Sequence, residues 1–231
     1  MPTTVWPAIR SHVVRVTALD NCGAPVIGPK SQNVSNGHIS LKLSPQYEDG
    51  EETAPKNAGG KILFVDKAQD ELKYFNVELV FSRVEPELFG AMTGQPLVLN
   101  SDGEPVGFRI GQSVDANVAI ETWTDVPGTV CGPDGKVYGY FLVPWLKGGR
   151  LGDFSFENAL ANFTITARTE MNSPWGAGPY NVVLNAPVAP ATEKVPGPLL
   201  TPIAADQHIH GEPTPVIYPS PTAGAVALPS P

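Results

Sequence analysis

The sequence predicts a mainly β protein with one short α-helix. Three observations carry that expectation. From Asn158 to Glu170 the chain alternates, with Ala159, Ala161, Phe163, Ile165 and Ala167 on one side and Asn158, Asn162, Thr164, Thr166 and Arg168 on the other. Period-two alternation marks a strand with one face on a core and one face on something polar. Composition agrees. Charged residues make up 16% of the 231, below the usual quarter, while 23 glycines and 25 prolines supply many turns. The third observation is a single change of period at residues 85–93, where Pro86 stands at a helix start and Gly94 just past its end.

Taken in order, residues 1–10 read as an arm, with Pro2 and Pro7 set against regular structure. His12 to Asp20 is the first strand, with Val14 and Val16 on one face; residues 21–33 read as loop. Gly37 to Leu43 alternates Ile39, Leu41 and Leu43 against His38, Ser40 and Lys42. Ser44 to Gly60 is polar and crowds Glu48, Asp49, Glu51 and Glu52; so long a loop in a compact domain is uncommon. It reads either as a solvated hairpin tip or as an arm that reaches a neighbouring subunit. Strands are expected at Lys61 to Asp66 and Lys73 to Val84, then the helix at 85–93 with Leu88, Phe89 and Met92 inward. Further strands follow at Val106 to Ile110, Asn117 to Val126, Tyr138 to Trp145 (turning at Gly148-Gly149), Arg150 to Glu157, Asn158 to Glu170 and Tyr180 to Leu184.

These elements place a β domain over residues 1–186. Eleven prolines lie between Pro187 and Pro231, so 187–231 reads as an extended tail that supplies no ladder strands. Leu199, Leu200, Ile203 and Ile217 could anchor it on a neighbour.

The formal net charge is −8, which argues against simple binding to a nucleic-acid backbone. It leaves open the enclosing of nucleic acid. The N-terminus lacks the pattern of a signal peptide, and no apolar run approaches the ~18 residues of a membrane span. Cys22 and Cys131 both sit in turn-like settings; free thiols are the commoner state of two such cysteines, with a disulfide left open.

Catalytic chemistry finds little support. There is no Gly-x-Ser-x-Gly, no Cys with a matching His and acid, and no glycine-rich phosphate loop. Glu121, Asp125, Asp153 and Glu157 could form a carboxylate pair but read more simply as polar strand faces. His208 and His210, with Asp206, form the best metal-like grouping, and two His in a Pro-rich segment are more often incidental. The expectation is therefore no enzyme, no cofactor and no metal. Trp6, Trp123, Trp145 and Trp175 leave room for a carbohydrate platform.

The stretch YGYFLVPWLKGGRLGDFSFENALANFTITARTE (138–170), with Glu121 to Pro127 before it and Ser173 to Tyr180 after it, resembles the major tail (tail tube) protein of long-tailed bacteriophages that infect actinobacteria. The likeness runs from the strand at His12 to the Pro-rich end. It implies a β-sandwich-like tail-tube subunit with one flanking helix, six copies joining their strands into one continuous barrel, and rings that stack. The implied protein is a structural part of the virion tail, made in the host bacterial cytoplasm. Its partners would be itself, the tape measure, terminator and distal tail proteins, and DNA passing through the lumen without specific binding. It implies neither catalysis nor a membrane. The helix at 85–93 and the acidic loop at 44–60 match that fold in order and type; the Pro-rich extension is not part of the minimal tube fold. The alternative is a β-sandwich carbohydrate-binding or adhesin module.

Strict alternation then assigns the channel wall. Asn76, Glu78, Ser82, Asn162, Thr164 and Thr166 should face the lumen, with Phe75, Val77, Leu79, Phe81, Phe163 and Ile165 buried. An acidic or neutral polar wall would repel phosphates and keep DNA mobile. Arg168 is awkward there and needs an acidic neighbour. Glu48, Asp49, Glu51 and Glu52 are the candidates for contacts between subunits.

Overall fold

The computed structural model describes residues 10–112, 114–126, 136–153, 162–187 and 193–228. Fifteen strands and one helix lie among them: β1 (Ser11–Ala18), β2 (Gly28–Ser35), β3 (His38–Glu48), β4 (Glu52–Thr53), β5 (Asp66–Lys67), β6 (Glu71–Phe81), α1 (Pro86–Thr93), β7 (Leu97–Leu99), β8 (Pro105–Phe108), β9 (Asn117–Asp125), β10 (Tyr138–Leu151), β11 (Phe163–Thr169), β12 (Val183–Asn185), β13 (Val195–Gly197), β14 (His210–Thr214) and β15 (Val226–Leu228). The protein is mainly β. No helix among the described residues is long and apolar enough to cross a membrane.

One antiparallel sheet dominates, in the order β15-β2-β1-β9-β10-β11-β6-β3. The strand β10 is shared along its length. Its first half pairs with β14 (Tyr138↔Thr214 to Leu142↔His210) and its second half with β11 (Leu146↔Thr169 to Leu151↔Ile165). The sheet curls, so that His38 Nε2 of β3 meets Ser11 Oγ of β1 at 2.6 Å although those strands are not neighbours in the ladder.

Both faces of the central strands are buried. Inside the curl, Val14, Val16, Leu79, Phe81, Ile120 and Ile165 close around Leu88, Phe89 and Met92 of α1. On the other side, Val13, Trp123, Tyr140 and Leu142 are covered by Trp175, Val182, Leu199 and Ile203 of the C-terminal chain. Each large side chain so buried contributes roughly 1.5–3 kcal/mol.

The helix follows its sequence signals, with Gly94 in the left-handed region at φ 68°. Its entry is tied down from far away. Glu85 Oε2 accepts from Gly224 N at 3.1 Å, and Glu87 Oε2 from Ala225 N at 2.5 Å.

Several expectations are corrected. The Pro-rich segment does supply ladder strands: β13 pairs with β12, β14 with β10 and β15 with β2. Proline fits because these strands are short and flank existing ladders, where a missing N–H is tolerated; Pro213 stands opposite Gly139. The region expected as loop at 21–33 contains most of β2, whose Ser31, Asn33 and Ser35 are buried polar residues and so lack the apolar alternation that betrays a strand. Gly148-Gly149 is a bulge inside a continuous β10 rather than a turn. A Cβ on Gly149 would lie 1.8 Å from the Met92 carbonyl oxygen, so the end of α1 presses directly on this backbone. The polar loop is also displaced. β3 pairs with β6 as far as Glu48↔Glu71, and the arm proper is residues 49–70. Of the strand expected at 61–66 only Asp66 joins a ladder, as the first residue of β5, leaving Ile62, Leu63, Phe64 and Val65 exposed. Ala159, Ala161, Asn158 and Cys131 lie outside the described residues; Cys22 is an exposed free thiol.

Candidate functional site

The alternation of β6 and β11 holds in the structure. Val77, Leu79, Phe81 and Ile165 are buried, and Phe75 and Phe163 pack against the same core. Asn76, Glu78, Ser82, Thr164 and Thr166 turn to the opposite face, and Asn162, just before β11, is exposed. Register builds that face as a grid. Lys42 of β3 stands opposite Glu78 of β6, which stands opposite Thr166 of β11, which stands opposite Arg150 of β10. The next row runs Ser44, Asn76, Arg168, Lys147. The face is not uniformly polar, since Val80 lies on it opposite Thr164. Ser82 spends its hydroxyl on the Gly37 carbonyl at 3.1 Å.

A cleft of about 550 Å³ opens on this grid, lined among others by Asn76, Glu78, Asp115, Lys147, Arg150 and Arg168. Arg168 has the acidic neighbour its position called for: Nη2 lies 3.1 Å from Glu170 Oε1. The sign of the face departs from the acidic or neutral wall expected. Lys42, Lys147, Arg150 and Arg168 outnumber Glu78 and Asp115 on it. Lys42 was legible from the alternation of 38–43. Lys147 and Arg150 were hidden because the Gly148-Gly149 bulge reads as a turn and so separates two residues that share a face.

The arm candidates are all at the surface. Asp49, Glu51 and Glu52 are exposed, and Glu48 forms an ion pair with Lys73 across the base of the arm. Asp70 ties the base from the other side, accepting from Gly50 N at 2.9 Å and pairing with Lys67 at 3.0 Å. The Gly50 bond, then Lys67, hold its carboxyl below the usual range.

The strongest polar cluster was not foreseen, and it lies under the C-terminal chain. Arg15 and Glu121, 7% and 1% exposed, face each other on β1 and β9. Arg15 Nε donates to Glu121 Oε2 at 2.5 Å, and Nη2 to Oε1 at 2.6 Å. Tyr140 Oη donates to the same Oε1 at 2.7 Å. The guanidinium lies over the rings of Tyr180, at 3.3 Å, and Trp123, at 5.0 Å. Burial works to lower the Arg15 pKa, but Glu121 outweighs it and the net direction is up. Burial, then Glu121, pushes the Tyr180 phenol up to about 12 and Tyr140 well above its ordinary value. A carboxylate saturated by a guanidinium and a phenol is poorly disposed to act as acid or base; the cluster is a clamp that fixes register and binds the C-terminal chain through Tyr180.

His208 and His210 are held apart by different partners. His208 Nδ1 bonds Thr169 Oγ1 at 2.8 Å beneath Phe75, while His210 sits 3.6 Å from Glu212. Among the described residues no group of three or more His, Cys, Asp or Glu side chains is placed to hold a metal. Trp123 and Trp175 are core residues and Trp145 packs against the same cluster; Trp6 lies outside the described residues. No protein-family model matches the chain, and no match was found among curated proteins.

Proposed function

We propose that the chain is a self-assembling structural protein: the tail tube subunit of a long-tailed phage, forming stacked six-membered rings around a channel for DNA. The observation that carries this reading is the asymmetry of the curled sheet. On the outer face of the curl, β1, β9 and the first half of β10 are covered by the C-terminal chain, while the polar grid of β3, β6, β11 and the second half of β10 is exposed or half-exposed. A solvated face is ordinary for an antiparallel sheet; one that spans four strands also suits a wall element, whose lumen side must remain wet.

Two further features support assembly. β3, eleven residues long, is a free edge of the main sheet, and such edges are usually blunted unless they are to be paired. The arm at 49–70 projects four consecutive exposed apolar residues, Ile62 to Val65, beside its acidic group. Different patches meeting head to tail generate rings when the rotation closes. Partners would be further copies, other tail proteins, and DNA in the lumen. The carbohydrate-module reading loses its motive with Trp123 and Trp175 in the core.

Negative-stain microscopy of the purified chain tests the proposal. Six-membered rings or tubes are expected, and Cys introduced at Asn76 and Asn162 should be shielded in tubes from a thiol reagent too large to enter the lumen. A monodisperse monomer at high concentration, or free labelling of both sites in intact tubes, would overturn it.

A further inference from the structure

We propose that the cleft on the polar sheet face is a phosphate-binding site that engages the sugar-phosphate backbone of DNA. The inference stands on one subunit and does not require the tube.

The first argument is register. Lys147 and Arg168 are direct cross-strand partners on β10 and β11. Like charges in that arrangement repel, so sheets ordinarily avoid it. Arg150 joins them from the far side of the bulge, opposite Thr166, and Lys42 ends the same row three strands away, beyond Glu78. The bulge is what brings Lys147 and Arg150 to one face although three positions separate them, and the end of α1 pressing on Gly149 holds it in place.

The second argument is the supply of counter-charge. Of these four cations only Arg168 has an ion pair among the described residues, with Glu170. Several lysines elsewhere are matched locally, as Lys30 with Glu87, Lys67 with Asp70 and Lys136 with Asp125, while Lys56 and Lys61 on the arm are not matched among the described residues. Lys147 and Arg150 instead line an open cleft of about 550 Å³. Guanidinium forks and an ammonium in such a cleft suit phosphate oxygens.

The third is spacing. Adjacent strands lie about 4.8 Å apart and alternate residues about 6.8 Å, against one phosphate per 3.4 Å of axis on each DNA strand. The grid can therefore meet two phosphates at once without reading a base. Lys147, Arg150 and Arg168 outnumber Glu78 and Asp115 in the lining, and a local excess of cations can bind a polyanion even on a chain whose net charge is −8, provided that salt is low.

The test is fluorescence anisotropy with a short labelled duplex of arbitrary sequence and the full chain. Binding is expected at low salt, competed by inorganic phosphate, with log K falling against log salt at a slope of about −2 for two neutralised phosphates. Lys147→Glu with Arg150→Glu should weaken binding at least tenfold. The charge-neutral Lys147→Gln with Arg150→Gln should weaken it severalfold, with an unchanged circular dichroism spectrum and urea midpoint. Lys56→Glu with Lys61→Glu, on the arm, makes the same change of net charge and should alter binding less than twofold. Absence of binding at low salt, or equal loss in the cleft and arm variants, overturns the proposal. So does a result in which a peptide of residues 46–71 binds the cleft and DNA does not, which would make the face a docking site for the acidic arm of another copy. Ring formation by the same variants, scored by microscopy, is a separate readout, so a failed cleft and a failed tube are told apart.

Discussion

Replacing Glu121 by Gln perturbs the buried clamp with almost no change of shape. The amide keeps an acceptor for Arg15, but the guanidinium, 7% exposed, is left without its counter-charge. Breaking one side of a buried pair costs about 3–5 kcal/mol, against a total of about 5–15 kcal/mol for a domain. The double variant Arg15→Met, Glu121→Leu removes both charges. Met can still pack on the rings of Tyr180 and Trp123, but Tyr140 Oη loses its acceptor, at about 1–3 kcal/mol. Adding Tyr140→Phe removes that orphan and should bring the chain back to within about 1 kcal/mol of the parent. The assay is equilibrium urea unfolding followed by tryptophan fluorescence, with Trp123 as a reporter inside the cluster. With m near 3 kcal/mol/M, Glu121→Gln should lower the midpoint by roughly 1–1.7 M. A loss below about 1 kcal/mol for Glu121→Gln, or a triple variant no better than the single, would refute the claim that the charge pair itself, rather than the packing around it, holds this layer.

Other outcomes follow from the same structure. Gly149→Ala should destabilise by several kcal/mol, because its Cβ meets backbone at the end of α1 rather than a side chain that can swing away; the urea midpoint checks it. Ending the chain after Pro187 should lower the midpoint sharply and expose Tyr140 and Leu142 to a hydrophobic dye, since β14, β15, Leu199 and Ile203 go with it. Stability should fall in alkali. Tyr180 titrates at 10.0 ordinarily and at about 12 in the fold, so its contribution is complete below pH 10 and is lost between pH 10 and 12; Tyr180→Phe should flatten that part of the urea-midpoint profile.

Elements whose signal is local could be read without the structure. α1 announces itself through Pro86 and Gly94, and β6 and β11 through alternation that the core then enforces, because a one-residue slip would expose Leu79 and Phe81. Elements stabilised by remote partners could not. β2 carries Ser31, Asn33 and Ser35 into the interior, where β1 and β15 pair its backbone and the side chains bond to the Gly28 carbonyl, Glu85 and Gly37 N. β14 carries Pro213 as the fourth of its five residues and becomes a strand because β10 offers it an edge. At the candidate site, the polar-face residues of β6 and β11 were legible for the same reason as their strands. The cations of β10 were not, since whether two glycines turn or bulge depends on the helix packed against them. The Arg15–Glu121 clamp needed the β1–β9 register, which no single strand encodes.

The pairing of β15 with β2 also sets a clock. Gln32 Nε2 donates to the Ala227 carbonyl across 195 positions of chain. Closing a loop of that size costs about 2 kcal/mol more entropy than closing one of ~15 residues, as in the β1–β2 hairpin. Long-range pairing of this kind slows folding, so the curl around α1 should form first and the last strands should dock late. Until they do, β2 presents a bare edge and the first half of β10 presents Tyr138, Tyr140 and Leu142 uncovered. Those surfaces would recruit other chains indiscriminately, and the completed C-terminal wrap retires them. The interval before the C-terminal wrap closes would thus govern how much newly made protein is lost to aggregation.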